Sequence, residues 1–186
     1  MAKKSIADRY FIAIVPPSPF YTQANELKEY FKAQHHSKAS LNSPPHITLH
    51  MPFEWRSDRE DILLNKLGQF SSRQSPVDIT FNNFNCFEPR VIFIAVAENK
   101  GLNELQYQLR VFCKKDLGLF NADYKDLPFH PHLTLAFRDL KKPAFAKAWE
   151  EFKDKKFEGT FSVDKICLLK HENEKWRVMK ELGLKN

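Results

Sequence analysis

The stretches "PPHITLHMPF", Pro44 to Phe53, and "PFHPHLTLAF", Pro128 to Phe137, decide how this chain folds. Each has the period of a half-buried strand, in which side chains at i, i+2 and i+4 share one face. That reading aligns His46, Thr48 and His50 in the first stretch and His130, His132 and Thr134 in the second, while Leu133 and Leu135 turn into apolar surroundings. A polar stripe on a half-buried strand needs an explanation. It occurs twice, on "PHITL" and on "PHLTL".

The surroundings of the two stretches match as well. "FIAIV" at Phe11 and "FIAVA" at Phe93 are near copies, each leading through a helical pattern to one of the HxT strands. In the first copy the helix runs over Ser18–His36, with Phe20, Ala24, Leu27, Tyr30 and Phe31 at helical spacing, Ser18 as N-cap and Pro19 at the first helical position. In the second it is "GLNELQYQLRVFCKKDLG". Another helix follows each HxT strand: "REDILLNKLGQF", capped by Asp58, and "PAFAKAWEEFKD". A long strand closes each unit, "VDITFNNFNCF" and "TFSVDKICLLKHE", and a short one, "KWRVMKEL", ends the chain. The order strand, helix, HxT strand, helix, strand therefore occurs twice, over residues 9–87 and 91–170.

Hairpin connections such as "CFEPRV" favour antiparallel pairing. The expected class is α+β: two pseudo-symmetric lobes of antiparallel sheet with outer helices, the HxT strands facing across a central groove. Without a long flexible linker between the copies, residues 1–186 are expected to form a single bilobal domain.

The chain has 186 residues, 17 of them Phe, which suits a substantial core and excludes a disordered class. The apolar run Tyr10–Val15 is too short to span a membrane and lacks a cleavage site, so no membrane association and no signal peptide are expected. Cys86, Cys113 and Cys167 have no CxxC spacing, which fits free thiols in the cytoplasm. A formal charge of +6 suits an anionic partner without naming it. With five Gly and no GxGxxG or Walker loop, phosphate binding falls to side chains.

Two HxT strands can supply that. A His and a Thr at i and i+2 stand roughly 6.5 to 7 Å apart at Cα and can reach one phosphate. One neutral imidazole can take a proton from water while a protonated one gives a proton to the leaving oxygen. The hydroxyls donate to the non-bridging oxygens, where charge accumulates. The H-x-H of His130 and His132 also raises a metal reading. A barrel hydrolase using such a pair needs further His and Asp ligands and about 250 residues, so no metal and no cofactor are expected.

The paired "PHITL" and "PHLTL", in a duplicated order of elements covering most of the chain, resemble the twin HxT signatures of the two-histidine (2H) phosphoesterase superfamily, in particular its 2′-5′ RNA ligase-like branch of RNA cyclic phosphodiesterases. The resemblance implies a catalytic set of His46, Thr48, His132 and Thr134, with His46 as acid and His132 as base. It implies as substrate a 2′,3′-cyclic phosphate on RNA ends or nucleotides, opened to a 2′-phosphate, and it admits 2′-5′ RNA ligase activity. Members of the branch often carry a basic residue after each HxT. Here Phe137 holds one such place, followed by Arg138, which strand alternation turns to the His132 face, and His50 holds the other. His50, His130, Phe137 and Arg138 are thus the candidate substrate-binding residues, and a monomer is expected. The alternative from another class is a non-catalytic nucleotide- or RNA-binding module using the same phosphate site.

Overall fold

The computed structural model describes residues 7–120 and 128–185. Within them, eight strands make one antiparallel sheet: β1 Ala7–Ile14, β2 Ile47–Arg56, β3 Val77–Phe87, β4 Val91–Val96, β5 His132–Ala136, β6 Glu158–Val163, β7 Lys165–Glu172 and β8 Lys175–Gly183. Four α-helices accompany them: α1 Phe20–His35, α2 Glu60–Ser71, α3 Lys100–Asp116 and α4 Lys142–Phe152. The strand order is β6-β3-β4-β5-β2-β1-β7-β8. Only Asp164 separates β6 from β7, although a flat sheet would set them roughly 29 Å apart, six spacings of about 4.8 Å. The sheet must therefore curl, and it forms a half-barrel. The class is α+β with outer helices, as the sequence implies.

The duplication has a consequence that strand order alone does not reveal. β3 follows α2 in the first repeat but pairs with β4 of the second. β7 follows α4 in the second repeat but pairs with β1 of the first. Each repeat lends its closing strand to the other, so neither half can complete its own sheet. The lobes meet at β2 and β5, through Ile47 opposite Leu133.

The main core lies between the sheet and the helices, where Ile47, Leu133, Ala24, Phe31, Leu63, Leu67, Leu109 and Phe152 are all buried. Phe11, Ala13, Cys167 and Leu169 form a second, smaller cluster on the other face. Cys86, Cys113 and Cys167 are free thiols.

Four local expectations are corrected. Helix α1 starts at Phe20 with Pro19 at the N-cap, and Ser18 Oγ bonds Thr22 Oγ1 at 3.0 Å instead of capping a backbone N–H. Its buried face is Ala24, Lys28, Phe31 and His35, rotated from the one read in the sequence. Asp58 sits in a 3₁₀ turn, its carboxylate held by Arg56 at 2.6 and 3.0 Å, so it does not cap α2. The predicted strand over 160–172 is broken at Asp164, because its two parts belong to distant positions in the sheet.

Gly159 in β6 has φ of +151°, and a Cβ there would stand 2.5 Å from Cζ of Phe20. The Phe20 ring lies on this bare backbone and packs against Phe81 and Phe161. Gly159→Ala is expected to destabilise the fold by about 1–3 kcal/mol, the usual cost of overpacking. Urea denaturation checks it: a midpoint equal to that of the parent would show that Phe20 yields freely.

Candidate active site

The antiparallel pair Ile47–Leu133 centres the site. Both side chains are fully buried and turn into the core. By alternation the residues on either side, His46 and Thr48 on one strand and His132 and Thr134 on the other, turn to the opposite face. Antiparallel register sets His46 beside Thr134 and Thr48 beside His132. An approximate two-fold passes through the central pair, and all four side chains are half-buried.

The two imidazoles are held in the same way. His46 Nδ1 lies 2.7 Å from the carbonyl of Pro44, and His132 Nδ1 lies 2.7 Å from that of His130. A carbonyl can only accept, so Nδ1 carries the hydrogen in each ring. That leaves Nε2 as the nitrogen free to take or give a proton. Each ring also rests on the phenylalanine of the neighbouring strand, Phe11 at 4.8 Å for His46 and Phe93 at 4.9 Å for His132. The near-copies "FIAIV" and "FIAVA" supply these two rings.

Their electrostatic surroundings differ. Lys28 of α1 is 1% exposed, with Nζ donating to the carbonyls of Ser40 and Ser43 at 3.0 Å each. Burial pulls its pKa down to about 7, while the two carbonyls favour the ammonium and oppose that pull. The cation also acts on His46, whose pKa falls to about 4, through burial first, then Lys28, with His132 adding to the effect. The bond to Pro44 opposes the fall. His132 is lowered by burial and, less, by His130. The helix of the second repeat has no counterpart to Lys28, its buried face being Leu102, Leu105, Leu109 and Cys113.

Two cavities flank the strands. One of about 280 Å³ borders His46 and Thr48 and is walled by Phe11, Trp176, Phe137 and Arg138. The other, of about 320 Å³, borders Thr48 and His132, with Phe87, Gln106, Arg110 and Phe129 around it. His130 is exposed at its rim, its ring 5.1 Å from that of Phe87 and 6.1 Å from that of His132. Phe137 and Arg138 reach the groove by a different route from the expected one. The strand ends at Ala136, Arg138 takes a left-handed φ of 58°, and its guanidinium lies 5.0 Å from the Phe137 ring on the His46 side.

His50 departs from the expected alignment. On β2 the step from Thr48 to His50 spans two residues, whereas their partners on β1, Ala13 and Ile12, are adjacent. This bulge turns His50 onto the core face, where it is 2% exposed and lies edge-on to Phe53 at 5.5 Å. Its Nδ1 donates to the carbonyl of Met51 at 2.9 Å, and its ring lies on the face away from the groove. Among the described residues, no group of three or more His, Cys, Asp or Glu is placed to hold a metal ion.

Lys28, Arg9 and Trp176 also bear on the site, beyond the residues that the strand pattern marks. Arg9 and Trp176 come from strands far apart in the chain and meet only through the sheet order. Lys28 had a legible signal: Ala24, Lys28 and Phe31 follow helical spacing, with a lysine where an apolar residue is expected.

Comparison with known proteins places this geometry in a family. A family model described as the 2′-5′ RNA ligase superfamily matches residues 16–175. A Geobacillus kaustophilus protein named "Putative phosphoesterase" is 32% identical over 175 residues, covering 91% of this chain and 92% of its own length. Among solved structures, TT0787 of Thermus thermophilus superimposes with a TM-score of 0.69 at 20% identity, over 96% of this chain and 98% of that one. E. coli LigT complexed with 3′-AMP gives 0.65 at 19% identity, over 97% and 100%. At these identities the two structures speak for the fold.

Proposed function

The chain belongs to the 2′-5′ RNA ligase superfamily, and we propose that it is a metal-independent phosphoesterase that hydrolyses 2′,3′-cyclic phosphodiesters, on RNA ends or nucleotides, to 2′-phosphates. The observation that carries this reading is the paired anchoring of His46 and His132 through Nδ1, which leaves two Nε2 atoms beside two threonine hydroxyls on one face. Water attacks phosphorus opposite the ribose 3′-oxygen, and one neutral Nε2 accepts its proton. As the P–O3′ bond breaks, the other, protonated imidazole gives its proton to that oxygen. Thr48 and Thr134 donate to the non-bridging oxygens as their charge grows.

The roles need not follow the order that the resemblance implies. The Lys28 ammonium disfavours a second positive charge at His46. At a given pH His46 is therefore the more readily neutral ring, the state a general base needs, and His132 the more readily protonated one, the state a general acid needs. The complex of E. coli LigT with 3′-AMP lends support to a nucleotide as the ligand class.

Incubation with a 2′,3′-cyclic nucleotide, followed by assignment of the product's phosphate position, tests the reaction. A 2′-phosphate is expected, at a rate that EDTA leaves unaltered, because imidazoles rather than a Lewis acid move the protons. Loss of turnover with EDTA and its return with zinc would overturn the metal-independent mechanism. Tight binding of the nucleotide without turnover would leave the protein a phosphate-binding module.

A further inference from the structure

Beside His46, the cavity of about 280 Å³ has an unusual charge arrangement. Arg9 from β1 lies with its guanidinium 5.5 Å from the centre of the Trp176 ring, on β8. Arg138, just past β5, lies 5.0 Å from that of Phe137. Both aromatic rings and both guanidiniums border this one cavity. Among the described residues neither arginine is ion-paired to a carboxylate. Asp139, next to Arg138, is occupied elsewhere, accepting from Ser37 Oγ and from the backbone N–H groups of Lys38 and Ala39 at 2.9 to 3.0 Å. His171, near the end of β7, and Glu174, in the turn to β8, complete the wall, His171 edge-on to Trp176 at 4.8 Å.

Both arginines are exposed, so their guanidinium N–H groups are open to a ligand, and with Glu174 as the one carboxylate on this wall among the described residues, an anion in the cavity can accept charge-assisted hydrogen bonds from both. Contact with an aromatic ring restricts each planar fork, so less side-chain freedom is lost on binding than from a free arginine. The reacting phosphate is already provided for by the two histidines and two threonines. Among the described residues, the cavity on the His132 side has Arg110 for its only guanidinium, beside Phe87, Phe129 and Gln106, and offers no such pair.

We propose that the cavity on the His46 side is a second anion subsite, in which Arg9 and Arg138 take a phosphate that the substrate carries in addition to its cyclic one. This rests on the phosphoesterase reading above and narrows it: the preferred substrate carries at least two phosphates. The second one is either the next diester of an oligonucleotide or a terminal 5′-phosphate of a nucleotide, and both offer the same non-bridging oxygens.

Three substrates separate these cases: uridine 2′,3′-cyclic phosphate, its 5′-phosphorylated form, and the dinucleotide UpU ending in a 2′,3′-cyclic phosphate. At 50 mM salt, kcat/KM for one or both of the two-phosphate substrates is expected to exceed that of the first by about ten- to a hundredfold, the scale of charge-assisted hydrogen bonds. Preference for the dinucleotide identifies an internal diester, and preference for the 5′-phosphorylated form a terminal phosphate. Arg9→Gln and Arg138→Gln should each bring the ratio towards one, and 200 mM salt should lower it in the parent protein. Equal kcat/KM for all three substrates, or a preference that both variants retain, overturns the subsite and leaves the esterase reading standing. If no cyclic phosphate is turned over, the esterase reading fails, and calorimetric titration with uridine 2′-monophosphate and uridine 2′,5′-bisphosphate still decides the subsite. Tighter binding of the bisphosphate, lost in Arg9→Gln and Arg138→Gln, supports it; equal affinities refute it.

Discussion

Replacing His46 or His132 with alanine is expected to lower kcat/KM on a 2′,3′-cyclic nucleotide by about 10²- to 10⁴-fold, the usual worth of a positioned acid or base. The double variant should lose far less than the product of the two, because an acid and a base acting on one bond cleavage function as a unit. Thr48→Ala and Thr134→Ala remove one donor each to a charged oxygen and should cost about 10²-fold. The pH profile carries the sharper information. With one imidazole neutral and the other protonated, kcat/KM is bell-shaped, its two apparent pKa values belonging to the pair. Both rings are held below the ordinary histidine value in the free protein, so both limbs should lie on the acid side of about 6.5. Bound phosphate favours the imidazolium, so the kcat profile should move to higher pH. If His46 is the base, His46→Ala loses the acidic limb and His132→Ala the basic one; the order that the resemblance implies predicts the reverse. A pH-independent parent rate, or a variant of either histidine as active as the parent, would refute the paired mechanism.

How much of this was legible in the sequence depended on whether the signal was local. The strand period and the repeated "PHxTL" mark His46, Thr48, His132 and Thr134, and the sheet register brings all four to one face. The same period misplaced His50, because a bulge between Ile12 and Ala13 has no mark in the local sequence. It also failed for Arg138, which lies beyond the end of its strand and reaches the groove through a left-handed turn. Duplication was visible in element order, yet the exchange of β3 and β7 between lobes was not. Which strand a chain segment joins is decided by long-range pairing that local spacing does not encode. Arg9 and Trp176 were hidden for the same reason.

Lys28 carries the other large effect, and it concerns stability. Its folded-state pKa is depressed, to about 7 against an ordinary 10.5, so between these values the unfolded chain binds more protons than the folded one. Stability must then rise with pH through that window. Above pH 9 the buried thiols Cys113 and Cys167, pushed up to about 12 and about 11, act in the opposite sense, because the folded protein keeps protons that the unfolded chain releases. The clean interval is therefore pH 7 to 9, where a gain of about 3 kcal/mol is the upper expectation, two units at about 1.4 kcal/mol each. The carbonyls of Ser40 and Ser43 reduce it in so far as they hold the ammonium. Lys28→Met keeps the bulk and removes the charge. It strands the Ser43 carbonyl at a cost that does not vary with pH, so the difference in slope between parent and variant isolates the lysine. Urea denaturation at pH 7, 8 and 9 is expected to show the parent gaining stability and the variant changing little; parallel curves would mean that Lys28 stays fully protonated. The same variant reports on the site. The loop that Lys28 pins runs directly into Pro44, whose carbonyl anchors His46, so removing the cation should raise the His46 pKa in an NMR titration while loosening the ring's orientation. Lys28 thus ties the pH dependence of the fold to the site: it pins the loop that leads into Pro44, and after burial its charge is the next largest influence lowering the His46 pKa.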